Sequence, residues 1–353
     1  MTIEKKIVFH IALLLCVMAF TTVSIAGTGR RMGTAGAQEL LIPVGSVGTA
    51  LGGANLANVS GIEALYWNPA GLSHTESTAE AMFSHMQYIA DIDINYVAGQ
   101  FMAPALGSFG VSIKSLTFGD IPVTTNANPD GTGEIYSPAF ITFGLAFSRA
   151  MTDKIYFGTH AKLVSEKIMS ETATGIAFDF GLQYDTGTGV KAGVTLKNIG
   201  SNMTFNGNDL EIFTGDISDR PDTEGENTRI PLASFELPAT FEMGISYDYR
   251  LGELNRLTVM GSFMNNNFAM DEYRFAGEYA LNDMFFLRGA YVIGYDADDD
   301  KFRTADSNSY LWGPSFGGGF NLKLGNMNLN LDYAYRLAEL FDNNQWFSFR
   351  IAF

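Results

Sequence analysis

Cysteine is almost absent from the chain: Cys16 is the only one in 353 residues, and it sits near the N-terminus. Disulfides, thiol catalysis and cysteine metal sites are therefore excluded downstream of it. Charge is sparse and lopsided, with 17% charged residues and a formal net charge of −16. So acidic a balance excludes nucleic acid as a partner, since phosphates demand a basic face. No apolar run after the N-terminus approaches the ~20 residues of a spanning helix. Catalytic signatures are missing too. There is no His-Glu-x-x-His, P-loop or Gly-x-Gly-x-x-Gly among residues 1–353, and the Gly-x-Ser-x-Gly string Gly313-Pro314-Ser315-Phe316-Gly317 falls in a stretch read as a strand, not at the strand-to-helix turn an elbow needs. The histidines are His10, His74, His85 and His160. His160 stands inward between Gly158 and Lys162 with no orienting partner visible in the sequence, so it is taken as a polar lumen residue. The chain is expected to be non-enzymatic, with no cofactor and no bound metal.

What the chain has instead is 28 Phe, 15 Tyr and 38 Gly. Such a sequence can enter a bilayer only as a closed barrel, because in lipid every backbone N–H and C=O must be paired within the protein. The first residues place it outside the cytoplasm. Lys5 and Lys6 precede an apolar stretch from Ile7 to Phe20, broken only by His10, and Ser24-Ile25-Ala26 offers small residues for cleavage after Ala26. A lipobox at Cys16 is excluded by Leu15, which stands where a small residue is required. The signal carries Lys5, Lys6 and Glu4, one net positive charge, so its loss takes the chain from −16 to −17.

Period two dominates the remainder. Ile141, Phe143, Leu145 and Phe147 alternate with Thr142, Gly144, Ala146 and Ser148, and Ile176, Phe178, Phe180 and Leu182 alternate with Ala177, Asp179 and Gly181. That is the apolar-out, polar-in pattern of a membrane strand. Strands are predicted at 78–87, 92–103, 109–118, 137–149, 155–167, 173–184, 190–198, 238–249, 255–265, 271–280, 284–295, 313–324, 327–336 and 345–353. They make an even set of fourteen, as single-chain outer-membrane barrels require. The connections sort by parity. Those after even-numbered strands are brief, whereas 119–136, 199–237 and 296–312 are long, which assigns short turns to the periplasm and long loops to the outside. Phe347, Phe349, Ile351 and Phe353 share one face of the last strand, resembling the terminal signal read by the outer-membrane barrel-assembly machinery.

Residues 27–75 do not alternate. A capping box is predicted from Ser60 and Glu63, followed by a short helix to Trp67 that Pro69 stops, with Gly71 turning the chain into the wall. This segment is too apolar to hang in the periplasm and is expected to fill the lumen. The expected organisation is a signal peptide at 1–26, a hatch at 27–75 and a transmembrane barrel at 76–353.

The stretch Gly52-Gly53-Ala54-Asn55-Leu56-Ala57, with the run Tyr66-Trp67-Asn68-Pro69-Ala70-Gly71-Leu72, resembles the N-terminal signature of the PorV/PorQ family. That family looks like a branch of the FadL superfamily of fourteen-stranded barrels with an N-terminal hatch and an Asn-Pro-Ala motif. The resemblance implies two candidate functions. PorV-like members belong to type IX secretion, with secretion components and exported proteins as partners; FadL-like members pass hydrophobic small molecules such as long-chain fatty acids. By resemblance, Tyr66, Trp67, Asn68, Pro69, Ala70 and Gly71 form the hatch motif. Export is the leading expectation and the channel the runner-up, with an adhesive barrel as a third class.

Inward charges of both signs, among them Lys162, Asp179, Glu242, Arg274, Arg288 and Asp332, point to a paired network rather than a pore of one sign. The acidic loop residues Asp209, Glu211, Asp216, Asp219, Asp222, Glu224, Glu226 and Glu236, and Asp296, Asp298, Asp299, Asp300 and Asp306 farther on, lack an EF-hand spacing and are taken as solvated rather than Ca²⁺-binding. One outcome follows from the alternation alone. The protein should sediment with outer membrane and migrate anomalously on gels when unboiled; recovery as a soluble periplasmic monomer refutes embedding.

Overall fold

The computed structural model describes residues 33–214, 226–297, 300–305 and 310–353. The proposed signal peptide, Cys16, and the acidic positions Asp216, Asp219, Asp222, Glu224, Asp298, Asp299 and Asp306 lie outside the described residues. Fourteen wall strands follow one another: β1 Ala79–Gln87, β2 Asp93–Ala103, β3 Gly107–Thr117, β4 Ala139–Ala150, β5 Ile155–Ile168, β6 Glu171–Asp185 and β7 Val190–Gly200. The second half comprises β8 Thr240–Leu251, β9 Asn255–Asn266, β10 Asp271–Leu281, β11 Phe285–Asp296, β12 Trp312–Leu324, β13 Met327–Ala338 and β14 Asn344–Ala352. No end moves from its predicted place by more than two residues. Every wall strand pairs antiparallel with its neighbours, and β1 pairs with β14 from Glu80↔Ala352 to Gln87↔Gln345, closing the barrel. A short strand, Lys301–Arg303, adds to the outer end of β11, and two-stranded ribbons decorate the long loops. Among the described residues no helix is long and apolar enough to cross a membrane.

Side chains obey the pleat. On β4, Ile141, Phe143 and Leu145 are exposed on the outer face, while Thr142 and Ala146 are buried inside. On β14 and the residue after it, Phe347, Phe349 and Phe353 are exposed and Trp346, Ser348 and Ala352 are buried, as the alternation required. The outer apolar belt faces lipid and the inner face is polar, the arrangement of a membrane barrel. The predicted charge network is present. Lys162 meets Asp179 at 2.6 Å, Lys197 meets Glu242 at 3.0 Å, and Arg274 bridges Glu242 and Glu272 at 3.1 and 2.8 Å. Arg288 lies 2.7 Å from both Glu278 and Asp332, tying β10, β11 and β13 together from within.

Each of these three side chains is nearly sealed from water, so removing one partner strands a charge. Arg288→Met is expected to destabilise the barrel by about 3–5 kcal/mol, the usual cost of breaking a buried pair. Denaturant unfolding from detergent micelles tests this; an unchanged midpoint would show the network to be dispensable.

Candidate functional site

Residues 33–78 run through the lumen from the long-loop end to the short-turn end. Near the start, the Gly33 and Gly36 amides donate to the carbonyls of Phe268 and Glu236 in outer loops. At the far end, the Thr78 amide donates to the Phe353 carbonyl beside the closing seam. Between them lie brief helical turns, Gln38–Leu41, Ser46–Ala50, Ala54–Ala57, Gly61–Glu63, Ala64–Trp67 and Pro69–Ser73. Turns this short leave most of their backbone groups unpaired, and buried groups need partners. Wall side chains supply them. Gln183 donates to the carbonyls of Leu56 and Val59, Ser148 to that of Ala70, and Lys114 to those of Glu39 and Ile42. Ser46 donates its amide to Ser348, which in turn reaches Ser84 across the seam.

The six residues of the Tyr66–Gly71 motif are brought together here. Asn68 is fully buried; its amide group donates to the carbonyls of Leu56 at 2.8 Å and Leu182 at 3.3 Å, and its oxygen accepts the Ala70 amide at 3.2 Å. The extended backbone of Asn68 ends the helix before Pro69, as the residue before a proline must. The Tyr66 and Trp67 rings stand at 85°, with the Lys197 ammonium 5.0 and 5.6 Å from their centroids. Phe347, Phe349, Ile351 and Phe353 belong to the opposite, outer face of the wall and take no part.

Two local expectations fail. Ser60 makes no capping bond, and the Gly61–Glu63 turn begins with Gly61 at φ +63° rather than in helical geometry, so no capping box forms. Glu80 of β1 accepts the Ile62 amide instead, and the Glu63 carboxyl turns toward Gly45. Gly71 does not adopt a left-handed turn. It is small because a methyl group there would sit 2.1 Å from the Val59 carbonyl oxygen. The sequence also hid the floor of the site, a set of inward glycines. A methyl at Gly158 would lie 2.2 Å from the Pro69 oxygen, and one at Gly181 would lie 2.1 Å from Asn68 Oδ1. Their position on the polar face of alternating strands was the available signal.

His160 has an orienting partner after all. Its Nδ1 is 3.6 Å from Asp179 and its Nε2 is 3.5 Å from the Ser112 hydroxyl. A bulge creates the cluster: the β6–β7 register shifts between Phe178 and Phe180, Asn198 turns to φ +58°, and its amide donates to Asp179. The order resembles a hydrolytic triad, yet Asp179 gives its short contact to Lys162. The adjoining cavity of 30 Å³ has room for about one or two waters and no substrate. No cluster of three or more potential metal ligands occurs among the described residues.

A larger cavity of 370 Å³ opens above the Tyr66 and Trp67 rings on the long-loop side. Leu40, Ile42, Met264 and Val292 give it apolar walls, and Tyr88, Tyr310 and Trp312 add aromatic ones. No family model matches the chain, and no curated protein matches it. Solved structures do. The CymD monoaromatic hydrocarbon channel superposes with a TM-score of 0.54 at 12% identity, covering 88% of this chain and 97% of that one. The Pseudomonas putida toluene transporter TodX gives 0.52 at 13%, covering 87% and 96%. The Ralstonia pickettii toluene transporter TbuX gives 0.50 at 13%, covering 87% and 97%. At these identities the likeness is one of fold, and it agrees with a fourteen-stranded barrel that encloses its own N-terminal segment.

Two acids in the inner segment make its seating depend on pH. Burial pushes Glu39 up to about 8, with Glu166 beside it adding to the shift. Burial also pushes Glu63 up to about 7, against Arg350, with Asp332 and Glu80 adding. Both values lie above the ordinary carboxylate range, so the seated form holds extra protons. Seating is thus fully favoured below about pH 4.5 and is lost progressively as pH rises through 7 and 8. Hydrogen exchange across 38–72 should become faster at pH 8.5 than at pH 5.5 after intrinsic correction, and Glu39→Gln with Glu63→Gln should flatten the difference. Greater protection at the higher pH refutes the assignment.

Proposed function

We propose that this chain is an outer-membrane channel for hydrophobic small molecules, with residues 33–78 acting as the hatch. The observation that carries the proposal is the 370 Å³ cavity, apolar and aromatic, that opens toward the long-loop side and is floored by Tyr66 and Trp67 of the inner segment. A molecule entering from outside meets that cavity first and the Asn68–Pro69 turn beneath it. Pockets of this size, mostly apolar with a few placed polar groups, are typical of small-molecule sites. The three superposed proteins named as hydrocarbon channels or toluene transporters support the same reading.

Type IX-linked export draws only on the resemblance of the Tyr66–Leu72 run. Every residue of that run is buried or half-buried within the barrel, facing no protein client. Uptake of labelled toluene into cells expressing the chain should exceed that of cells without it. Deleting 36–72 should leave a folded barrel with raised single-channel conductance, and Asn68→Ala with Pro69→Ala should raise it partway, because Asn68 loses hydrogen bonds worth about 1–3 kcal/mol in total. Wild-type conductance in the deletion, together with no uptake and co-purification with secretion components, would replace the channel with export.

A further inference from the structure

The cavity is less neutral than a hydrocarbon requires. Five charged side chains line it: Lys197, Arg274 and Arg336 against Glu242 and Glu272, three cations to two carboxylates and so one positive charge in excess. Four of the five are mutually committed. Glu242 takes Lys197 and Arg274, while Glu272 takes Arg274 and accepts the Tyr310 hydroxyl at 2.6 Å. Arg336 is the one left over. Among the described residues no carboxylate lies within ion-pair distance of it, and its Nε and Nη2 are shielded from water without an acceptor.

The surroundings hold this cation in place. Its guanidinium carbon lies 3.6 Å from the Trp312 ring centroid and 5.1 Å from that of Trp346. Trp312 reaches it only because the β12–β13 register breaks between Trp312 and Ser315, at Pro314. Regular alternation from the exposed Phe316 would send Trp312 outward; the irregularity turns it inward over Arg336. A cation stacked on indoles, with two shielded nitrogens lacking an acceptor and no carboxylate in ion-pair reach among the described residues, is costly to keep unless something completes it.

Building on the channel reading, we infer that the cavity selects small molecules joining a carboxylate to an aromatic body, and that Arg336 is the specificity-determining residue. The carboxylate pairs with the Arg336 guanidinium where it lines the cavity, and the ring lies among Tyr66, Tyr88 and Trp312. The single excess charge favours a monoanion, and the acidic protein around it makes this cavity an exception rather than part of a general positive field.

Purified protein in lipid nanodiscs, titrated by tryptophan fluorescence, tests the inference with benzoate, its neutral isostere benzamide, and toluene. Wild type should bind benzoate about tenfold or more tightly than benzamide, the worth of one charged hydrogen-bonded contact. Arg336→Gln should abolish that preference, so that benzoate and benzamide bind alike, while Arg336→Lys should recover part of it. The benzoate–benzamide comparison needs no variant, so a misfolded Arg336→Gln does not spare the inference. Toluene binding without any benzoate preference overturns the anion selectivity and leaves the channel standing. Binding of none of the three overturns both.

Discussion

Hydrocarbon offers a polypeptide no hydrogen-bond partner, and that single constraint organises the molecule. The lipid-facing backbone has to be paired entirely by neighbouring strands, so the sheet must close. The β1–β14 ladder does this, joining the first wall strand to the last. Closure then divides the chain into two solvents. Outward positions are apolar because lipid is, and inward positions are polar because a lumen inside fourteen strands is wide enough to hold water, charge and a second layer of protein.

Irregular backbone survives at membrane depth only in that enclosure. The inner segment has no helix longer than the five residues of Ser46–Ala50, so its amides and carbonyls rely on the wall. Gln183, Ser148, Lys114 and Ser348 meet that need, glycines at 158, 181 and 193 let the two backbones approach where any side chain would intrude, and Gly110 leaves room for the Leu65 and Leu72 side chains. The segment packs on both sides of the lumen: the Asn68–Ala70 turn lies on β5 and β6, while Ser46–Ala50 lies on β12 and β13, where Ser315 donates to the Ala50 carbonyl and a methyl at Gly317 would sit 2.4 Å from the Ala50 side chain. The cavity lies between these contacts and the outer loops.

The barrel was legible in the sequence because a membrane strand imposes period two on a dozen residues at a time, and because loop length carries the sidedness. The Tyr66–Gly71 run was legible through Pro69, whose effect on Asn68 is local. What was hidden depends on pairs far apart in sequence. His160 and Asp179 are adjacent only because β5 and β6 pair in one register, and the Asn198 turn that completes the cluster is a bulge with no compositional mark. Trp312 was read as the last residue of the long loop 296–312; it opens β12, and a register break turns it inward. Ser60 and Glu63 had the right spacing for a capping box, but Gly61 and the reach of Glu80 decided otherwise. Local patterns fail here where the wall competes for the same hydrogen bonds.

The same division of solvents explains how the lumen could open without the barrel failing. The wall ladders are complete in themselves, and the network through Arg288, Arg274 and Lys197 pairs wall with wall. The inner segment contributes mostly neutral hydrogen bonds, each worth about 1 kcal/mol net, and two acids that lose their protons as pH rises. When it withdraws, the groups it uncovers, such as Gln183, Ser148 and Lys114, face water rather than lipid and are resolvated at once. Displacing the segment therefore costs far less than opening the wall, and a route through the lumen is the one the energetics permit.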